Sequence, residues 1–309
     1  MMISMNKSKG VLTIVYGKPE YARHAVNLAR SIRLRDPGLS LAVVTDLDPA
    51  LFEGMYDHVI PWEFKEWTGW LAKLDACAMT PFDITLYLDS DMLVFESLEK
   101  IFGHFEGSEF GVIGHDVTNV VWYKSMEKIR QVVPSETYPI FNGGLYYFVK
   151  GETAESVFRN AKVLHARYDE LQLKRNRRMD CDQALVSLAM AQGGLHAAPI
   201  VADGSRVDAI WPNGMAVETD VIAGTCYQVE EGVRVRRGIL HYYGDAISSY
   251  NYVREEMRLR AAFENSERRV RFDALIRLRA LFAWLMTPPR GVWKMRAPIE
   301  RRLRSMRQG

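Results

Sequence analysis

Two carboxylates one residue apart interrupt an apolar run, Ile84-Thr-Leu-Tyr-Leu-Asp89-Ser-Asp91-Met-Leu-Val-Phe95. Acidic residues are depleted in strands, so a pair inside such a run needs a reason. In open α/β sheets ligands bind at the carboxyl ends of strands, which is where Asp89 falls. Two carboxylates there can hold a hard divalent cation, and the cation can hold a diphosphate. The chemistry implied is metal-dependent work on a phosphorylated ligand. The plain alternative is a solvated turn with two acids.

The elements that must position this pair can be read from periodicity and punctuation. Val11 to Tyr16 reads as a buried strand, broken by Gly17-Lys18-Pro19. Glu20 to about Arg35 follows helical spacing through Tyr21, Ala25, Leu28 and Ile32. Leu41 to Thr45 is a second strand, and this opening is the βαβ unit of a nucleotide-binding half. Tyr56 to Pro61 offers a third strand, Trp70 to Met79 a helix that brings Lys73 close in sequence to the acidic pair, and Ile84 to Leu88 the fourth strand. Beyond it, Phe110 to Ile113 and Asn142 to Val149 read as strands, the latter entered through Gly143 and Gly144. Glu152 to about Leu173 and Asp180 to Gln192 read as helices, and Gly238 to Tyr243 as a last strand. Ala197 to Met215, with its Trp211-Pro-Asn-Gly214 turn, is irregular. The alternation predicts an α/β domain with a mixed, mainly parallel central sheet flanked by helices, carrying substrate loops in its second half.

The 309 residues suffice for one large domain or two small ones. Cys77, Cys181 and Cys226 make neither a disulfide framework nor a zinc spacing, so a reducing compartment is expected. No apolar stretch reaches the roughly 20 residues of a membrane span, and the N-terminus lacks a signal core. The expectation is a cytoplasmic protein, with a peripheral position on the inner face of a membrane left open. From Asn251 onward fifteen Lys and Arg stand against six Asp and Glu, which leaves the rest net acidic by seven. That division suggests a body over residues 1–250 and a basic helical extension over 251–309. An acidic body argues against nucleic acid as a partner.

Four short motifs occur in order: Asp89-Ser90-Asp91, Phe141-Asn142-Gly143-Gly144, Asp182-Gln183 at a helix head, and His241-Tyr-Tyr-Gly244. With the helix beginning Tyr21-Ala-Arg-His-Ala-Val-Asn, they resemble retaining glycosyltransferases of the GT-A fold. The likeness is to glycosyltransferase family 8, which includes glycogenin and bacterial lipopolysaccharide galactosyl- and glucosyltransferases, and it covers about residues 11 to 245.

The resemblance implies a role for each matching residue. Asp89 and Asp91 match a D-x-D pair that binds a divalent metal, usually Mn²⁺, with Mg²⁺ the other choice; His241 would be the third protein ligand. Ser90 would lie beside the nucleotide ribose and Lys73 would touch donor phosphate or sugar. Asp116 and Asn142 would contact or lie near the sugar, and Gly143 and Gly244 would belong to the substrate-binding motifs. Asp182 and Gln183 match the pair beside the anomeric carbon, where catalysis occurs. The implied donor is a UDP-hexose and the implied acceptor a saccharide or glycolipid. Breaking a sugar–diphosphate bond places charge on the leaving phosphate and cationic character on the anomeric carbon, which a metal and carboxylates respectively stabilise. Attack on the face of departure and a covalent intermediate on Asp182 both fit the sequence.

One departure stands out. The family's late motif usually continues as H-x-x-G-x-x-K-P-W, whereas this chain reads His241-Tyr-Tyr-Gly-Asp-Ala-Ile-Ser-Ser-Tyr250 and lacks the lysine. Lys174-Arg-Asn-Arg-Arg178 and Arg254 are candidates to meet the phosphate charge instead. Two rival functions stay in view. A haloacid-dehalogenase-like phosphatase also has a strand ending in D-x-D, but Leu93 stands where it wants Thr or Val, and no second acid follows Asp245 at the expected distance. The other is a non-catalytic nucleotide-sugar-binding protein. In the tail, Leu275, Leu278, Phe282 and Leu285 fall at helical spacing among arginines, and Trp293 follows in a further basic stretch. Such a segment, residues 270–309, suits either the surface of an anionic membrane or packing on the body.

Overall fold

The computed structural model describes residues 7–63, 67–202, 205–207, 209, 217–230 and 232–263. The turn at residues 211–214 and the segment 270–309 lie outside them. Strand β1 (Lys9–Val15), helix α1 (Pro19–Arg33) and strand β2 (Ser40–Thr45) form the opening βαβ unit. Pro19 starts the helix with its φ already set. Strands β3 (His58–Pro61) and β4 (Ile84–Leu88) join the sheet in parallel, β3 on β2 and β4 on β1. Between them the expected helix begins as a 3₁₀ turn, Gly69–Asp75, and only ends as the short helix α2 (Ala76–Met79). Leu71 through Asp75 are all buried, which leaves no solvent face for an amphipathic α-helix.

After the acidic pair come β5 (Met92–Val94), α3 (Glu99–His104), β6 (Phe110–Gly111), β7 (Gly114–Val117) and α4 (Met126–Val132). Strands β8 (Tyr138–Phe141) and β9 (Leu145–Val149) and helices α5 (Glu152–His165) and α6 (Asp182–Gln192) follow. Helix α5 ends sooner than its sequence pattern predicts. The phenol of Tyr168 donates to Lys174 O and accepts from Cys181 N, and Gln172 adopts φ +54°, so this stretch is tied into a loop. A minimal hairpin, β10 (Val201–Ala202) and β11 (Ser205–Arg206), precedes an antiparallel meander of β12 (Val217–Asp220), β13 (Thr225–Glu230) and β14 (Val233–Arg236). The chain then makes β15 (Ile239–His241) and helix α7 (Tyr250–Phe263).

The central sheet has the order β3-β2-β1-β4-β9-β6. Only β9 runs against its neighbours, β4 and β6, so the sheet is mixed and mainly parallel, as expected. Its two faces alternate strictly. Leu12, Ile14, Ala42, Val44, Tyr87, Tyr146 and Phe148 pack towards α5 and α6. Val11, Val15, Leu41, Val43, Leu86, Leu88 and Tyr147 pack towards α1. A third, smaller cluster of Leu93, Phe95, Leu240, Tyr242, Tyr252 and Leu259 joins β5 and β15 to α7. Helix α7 is anchored by the wholly buried Glu255, which accepts from Thr219 Oγ1 and Val221 N and pairs with Arg254 and Arg258. The basic residues at 254 and 258 are thus bound to the body through β12. Among the described residues no helix is long and apolar enough to cross a membrane, and all three cysteines are buried and free.

Candidate metal and donor site

Asp89 caps the carboxyl end of β4, and the chain turns there: Met92 N donates to Asp89 O, and β5 begins. Strand β5 pairs antiparallel with β15, His241 opposite Met92, and Tyr242 N donates to Asp91 O at 2.8 Å. This pairing brings a histidine 150 residues downstream of Asp91 to its side. One ligand atom from each of Asp89, Asp91 and His241 lies within 4.8 Å of the others.

The histidine is held in a form that suits ligation. Its Nδ1 lies 2.9 Å from Asn142 Oδ1, which also accepts from Gly144 N at 2.9 Å. An oxygen accepting from that amide assigns the hydrogen to Nδ1, and the lone pair to Nε2. Nε2 is buried and has no hydrogen-bond partner. It lies 3.0 Å from Asp91 Oδ1 and 3.7 Å from Asp89 Oδ2, the nearer contact lacking hydrogen-bond direction. An orphaned imidazole nitrogen aimed between two carboxylates fits a divalent cation, and Asn142 supplies the outer support that such a ligand requires. Burial alone would push His241 down; the nearby Asp91 and Asp89 carboxylates reverse this, and its pKa is raised. Burial would push Asp91 up, but His241 and then Lys73 hold it below the usual carboxylate range. The site therefore calls for positive charge at Nε2.

The two glycines after Asn142 are needed for close approach. A Cβ on Gly143 would stand 2.3 Å from Gln183 Cγ and 2.9 Å from Asp182 Oδ2. One on Gly144 would meet Met92 Cε at 2.3 Å and His241 Cε1 at 2.8 Å. The β8–β9 turn thereby presses against both the head of α6 and the histidine.

A second ionic cluster adjoins the first. Lys73, 6% exposed, donates to Gly143 O at 2.7 Å and Asp89 Oδ2 at 3.0 Å, and stands 3.4 Å from Asp182 Oδ2. Burial lowers its pKa, yet Asp182 and Asp89 outweigh that and raise it, so the ammonium stays charged. The other Asp89 oxygen accepts from Tyr87 OH at 2.7 Å. Asp182 accepts from Tyr146 OH at 2.7 Å. Burial raises the Asp182 pKa more than Lys73 lowers it. Gln183 donates its amide to Phe141 O at 2.7 Å.

Two cavities meet here. The larger, about 660 Å³, runs from Tyr16, Gly17 and Tyr21 past Ser90 and Asp91 to Gly244. The smaller, about 250 Å³, is walled by Asn142, Gly143, Asp182, Gln183 and His241. Trp70, Lys73, Asp89 and Tyr243 line both. Ten of the eleven residues singled out from the sequence thus gather in one place: Lys73, Asp89, Ser90, Asp91, Asn142, Gly143, Asp182, Gln183, His241 and Gly244. Asp116 does not join them. It sits on β7 opposite Pro139, where it pairs with His196 Nδ1 at 2.5 Å and accepts from Ala197 N at 3.0 Å. Sequence reading missed Tyr87, Tyr146, Trp70 and Tyr243. Buried tyrosines in strands look like ordinary core; only their spacing of two from Asp89 and from Gly144 marked them.

No protein-family model matches the chain, and no curated protein sequence does. Among solved structures, the chain is similar to the glycosyltransferase GlyE of Streptococcus pneumoniae TIGR4, with TM-score 0.40 and 16% identity over 58% of this chain and 42% of that one. It thus spans less than half of GlyE. Galactosyltransferase LgtC in complex with donor and acceptor sugar analogues gives TM-score 0.47 and 15% identity, over 76% of this chain and 87% of that one. Mouse xyloside xylosyltransferase 1 gives TM-score 0.45 and 13% identity, over 77% and 98%. These likenesses are remote, and no role of any residue here rests on them.

Proposed function

We propose that this chain is a metal-dependent glycosyltransferase that moves a hexose from a nucleotide-diphosphate sugar, a UDP-sugar in the first instance, to a saccharide or glycolipid acceptor with retention at the anomeric carbon. The observation that carries the reading is the site's layout. A cluster of two carboxylates and an unpartnered imidazole nitrogen lies where a large cavity meets a small one walled by Asp182 and Gln183. A nucleoside fits the first cavity, a sugar the second, and the diphosphate spans the junction.

Asp89, Asp91 and His241 would hold Mn²⁺ or Mg²⁺, whose bound charge neutralises the leaving diphosphate. The chain's own residues do the rest. Lys73 holds Asp89 and Asp182 in place, with Nζ 3.0 and 3.4 Å from their Oδ2 atoms. Asp182 faces the small cavity with a preorganised negative charge, suited to the positive charge that develops at the anomeric carbon. Its Oδ2 is engaged by Tyr146 and Lys73 and it is 4% exposed, which favours that electrostatic role over attack as a nucleophile. Trp70 and Tyr243, with ring centroids 5.9 Å apart, flank the junction and limit water there. The acceptor oxygen forms the new bond as the glycosyl–phosphate bond breaks, and the departing phosphate oxygen takes its proton. The phosphatase reading fits less well, since Leu93 stands where its motif wants Thr or Val and no second acid follows Asp245 at the expected distance. Residues 270–309 are proposed, from sequence alone, to dock on anionic membranes. Sedimentation with anionic vesicles should weaken on their removal, and unchanged binding refutes that part.

The test is release of nucleoside diphosphate from a panel of nucleotide sugars, with and without Mn²⁺. Metal-dependent release, abolished in Asp91→Ala and His241→Ala, is expected. Phosphate release from simple monoesters would instead establish the phosphatase. Binding of the donor with no turnover on any acceptor or water would leave a binding protein.

A further inference from the structure

We infer that Arg177 is the cation that receives the donor's diphosphate in this chain, taking the part of the lysine missing after Gly244. The inference rests on the nucleotide-sugar reading above. Residues 176–179 form a two-residue hairpin turn: Asn176 and Met179 exchange backbone hydrogen bonds of 3.0 and 2.9 Å. Its central residues, Arg177 and Arg178, have φ of +49° and +67°. Positive φ at both central positions is the type I′ pattern, which strongly favours Asn and Gly. Two arginines there are costly, and such outliers persist where a site requires them.

The turn aims one of the two at the site. The Arg177 guanidinium lies over the Tyr243 ring, 5.2 Å from its centroid. Its Nη2 is 2.6 Å from where a Cβ on Gly244 would stand, so Gly244 must lack one for the arginine to seat. Arg177 lines the large cavity together with Ser90, Asp91 and Gly244. Arg178 lines neither cavity. The other basic candidates are engaged elsewhere. Lys174 donates to Val121 O, Arg175 pairs with Asp169 and Asp180, and Arg254 pairs with Glu255. Among the described residues Arg177 has an aromatic face and no carboxylate partner. A planar fork held on an aromatic ring beside a metal cluster is suited to two phosphate oxygens.

The experiment measures Mn²⁺ binding alone, then UDP binding in saturating Mn²⁺, for the intact chain, Arg177→Asn, Arg177→Lys and Arg178→Asn. Asn tolerates the turn, so Arg177→Asn should keep its melting temperature and its Mn²⁺ affinity. It should lose UDP affinity by roughly 10- to 100-fold, the loss of one or two hydrogen bonds to a charged group. Arg177→Lys should recover part, and Arg178→Asn should bind as the parent does. Unchanged UDP affinity in Arg177→Asn overturns the inference while leaving the function intact. Loss of Mn²⁺ affinity in the same variant overturns it too, because the effect would then be indirect. If the intact chain binds no nucleoside diphosphate of a UDP, GDP, ADP and CDP panel, the functional reading fails first.

Discussion

Lys73→Met gives the sharpest test of how the site is held together. Its resemblance-based role is contact with donor phosphate or sugar, yet in the structure its donors already face Gly143 O, Asp89 and Asp182. The side chains of Lys73 and Asp182 are 7% and 5% exposed, and that of Asp89 22%. Methionine keeps the length and apolar bulk but leaves two carboxylates facing each other without a counter-charge. Removing one partner of a buried pair costs about 3–5 kcal/mol. Asp89 retains some solvent, so the lower end is expected, a fall in melting temperature of roughly 5–10 °C for a chain of this size. Urea unfolding in metal-free buffer measures it. In a double-mutant cycle, adding Asp182→Asn should recover about 1.5–3 kcal/mol, since the buried charge that lost its partner is removed. Mn²⁺ should stabilise Lys73→Met more than the parent, because the cation takes over part of the lysine's work at Asp89. If Lys73 were a solvated phosphate ligand, Lys73→Met would unfold within about 0.5 kcal/mol of the parent and Mn²⁺ would stabilise both equally. That result would refute the bridge.

Three further outcomes follow from the geometry. Asn142→Ala should lower Mn²⁺ affinity by roughly 10- to 100-fold by isothermal titration, since His241 loses the acceptor that fixes its ring; unchanged affinity would deny Asn142 that role. Gly143→Ala should destabilise the fold by about 1–3 kcal/mol in urea, because its Cβ would overlap Gln183. A normal transition would mean that the turn can shift. His24, 7% exposed, has its pKa lowered from 6.5, by burial first and then Arg23. The folded state thus favours neutral imidazole. Its contribution is full above pH 6.5 and declines as pH falls from there towards the lowered value, where the unfolded chain alone takes the proton. The stability difference between the parent and His24→Gln should shrink over that interval, and a difference independent of pH would exclude it.

Much of the sheet was readable because each of its longer strands is an apolar, β-prone run bounded by Gly, Pro or Asp. Thr45 before Asp46 and Leu88 before Asp89 end where the polar residue begins. The β12–β14 meander was not read. Its Val233-Arg-Val-Arg236 strand is largely exposed and its Val217-Glu-Thr-Asp220 strand mostly polar, so no clear apolar face marked it. The gathering of Asp89, Asp91, Asn142, Asp182 and His241 was legible as motifs in order, but their division of labour was not. Asn142 touches the histidine and not only the cavity, and Lys73 is saturated by protein acceptors; both depend on distances that chain order does not encode. Asp116 illustrates the converse. It lies on the strand paired with the Phe141 strand, yet it is two residues from that strand's site-proximal end and is occupied by His196.

The short β5–β15 ladder has a consequence for how the protein matures. The Asp89–Asp91–His241 cluster takes two of its residues from one side of a 150-residue loop and the third from the other. Closing such a loop costs roughly 4 kcal/mol of chain entropy. The first four strands of the chain can pair with one another as they emerge from the ribosome, whereas β5 must wait for β15 and nothing before residue 241 can complete the cluster. On the proposed function, metal capture would thereby wait for residue 241 to emerge. A nascent or truncated chain would carry an acidic turn with weak and unselective affinity, and only the closed chain would hold the ion. On that function, cation uptake would come late in folding as well as complete the site.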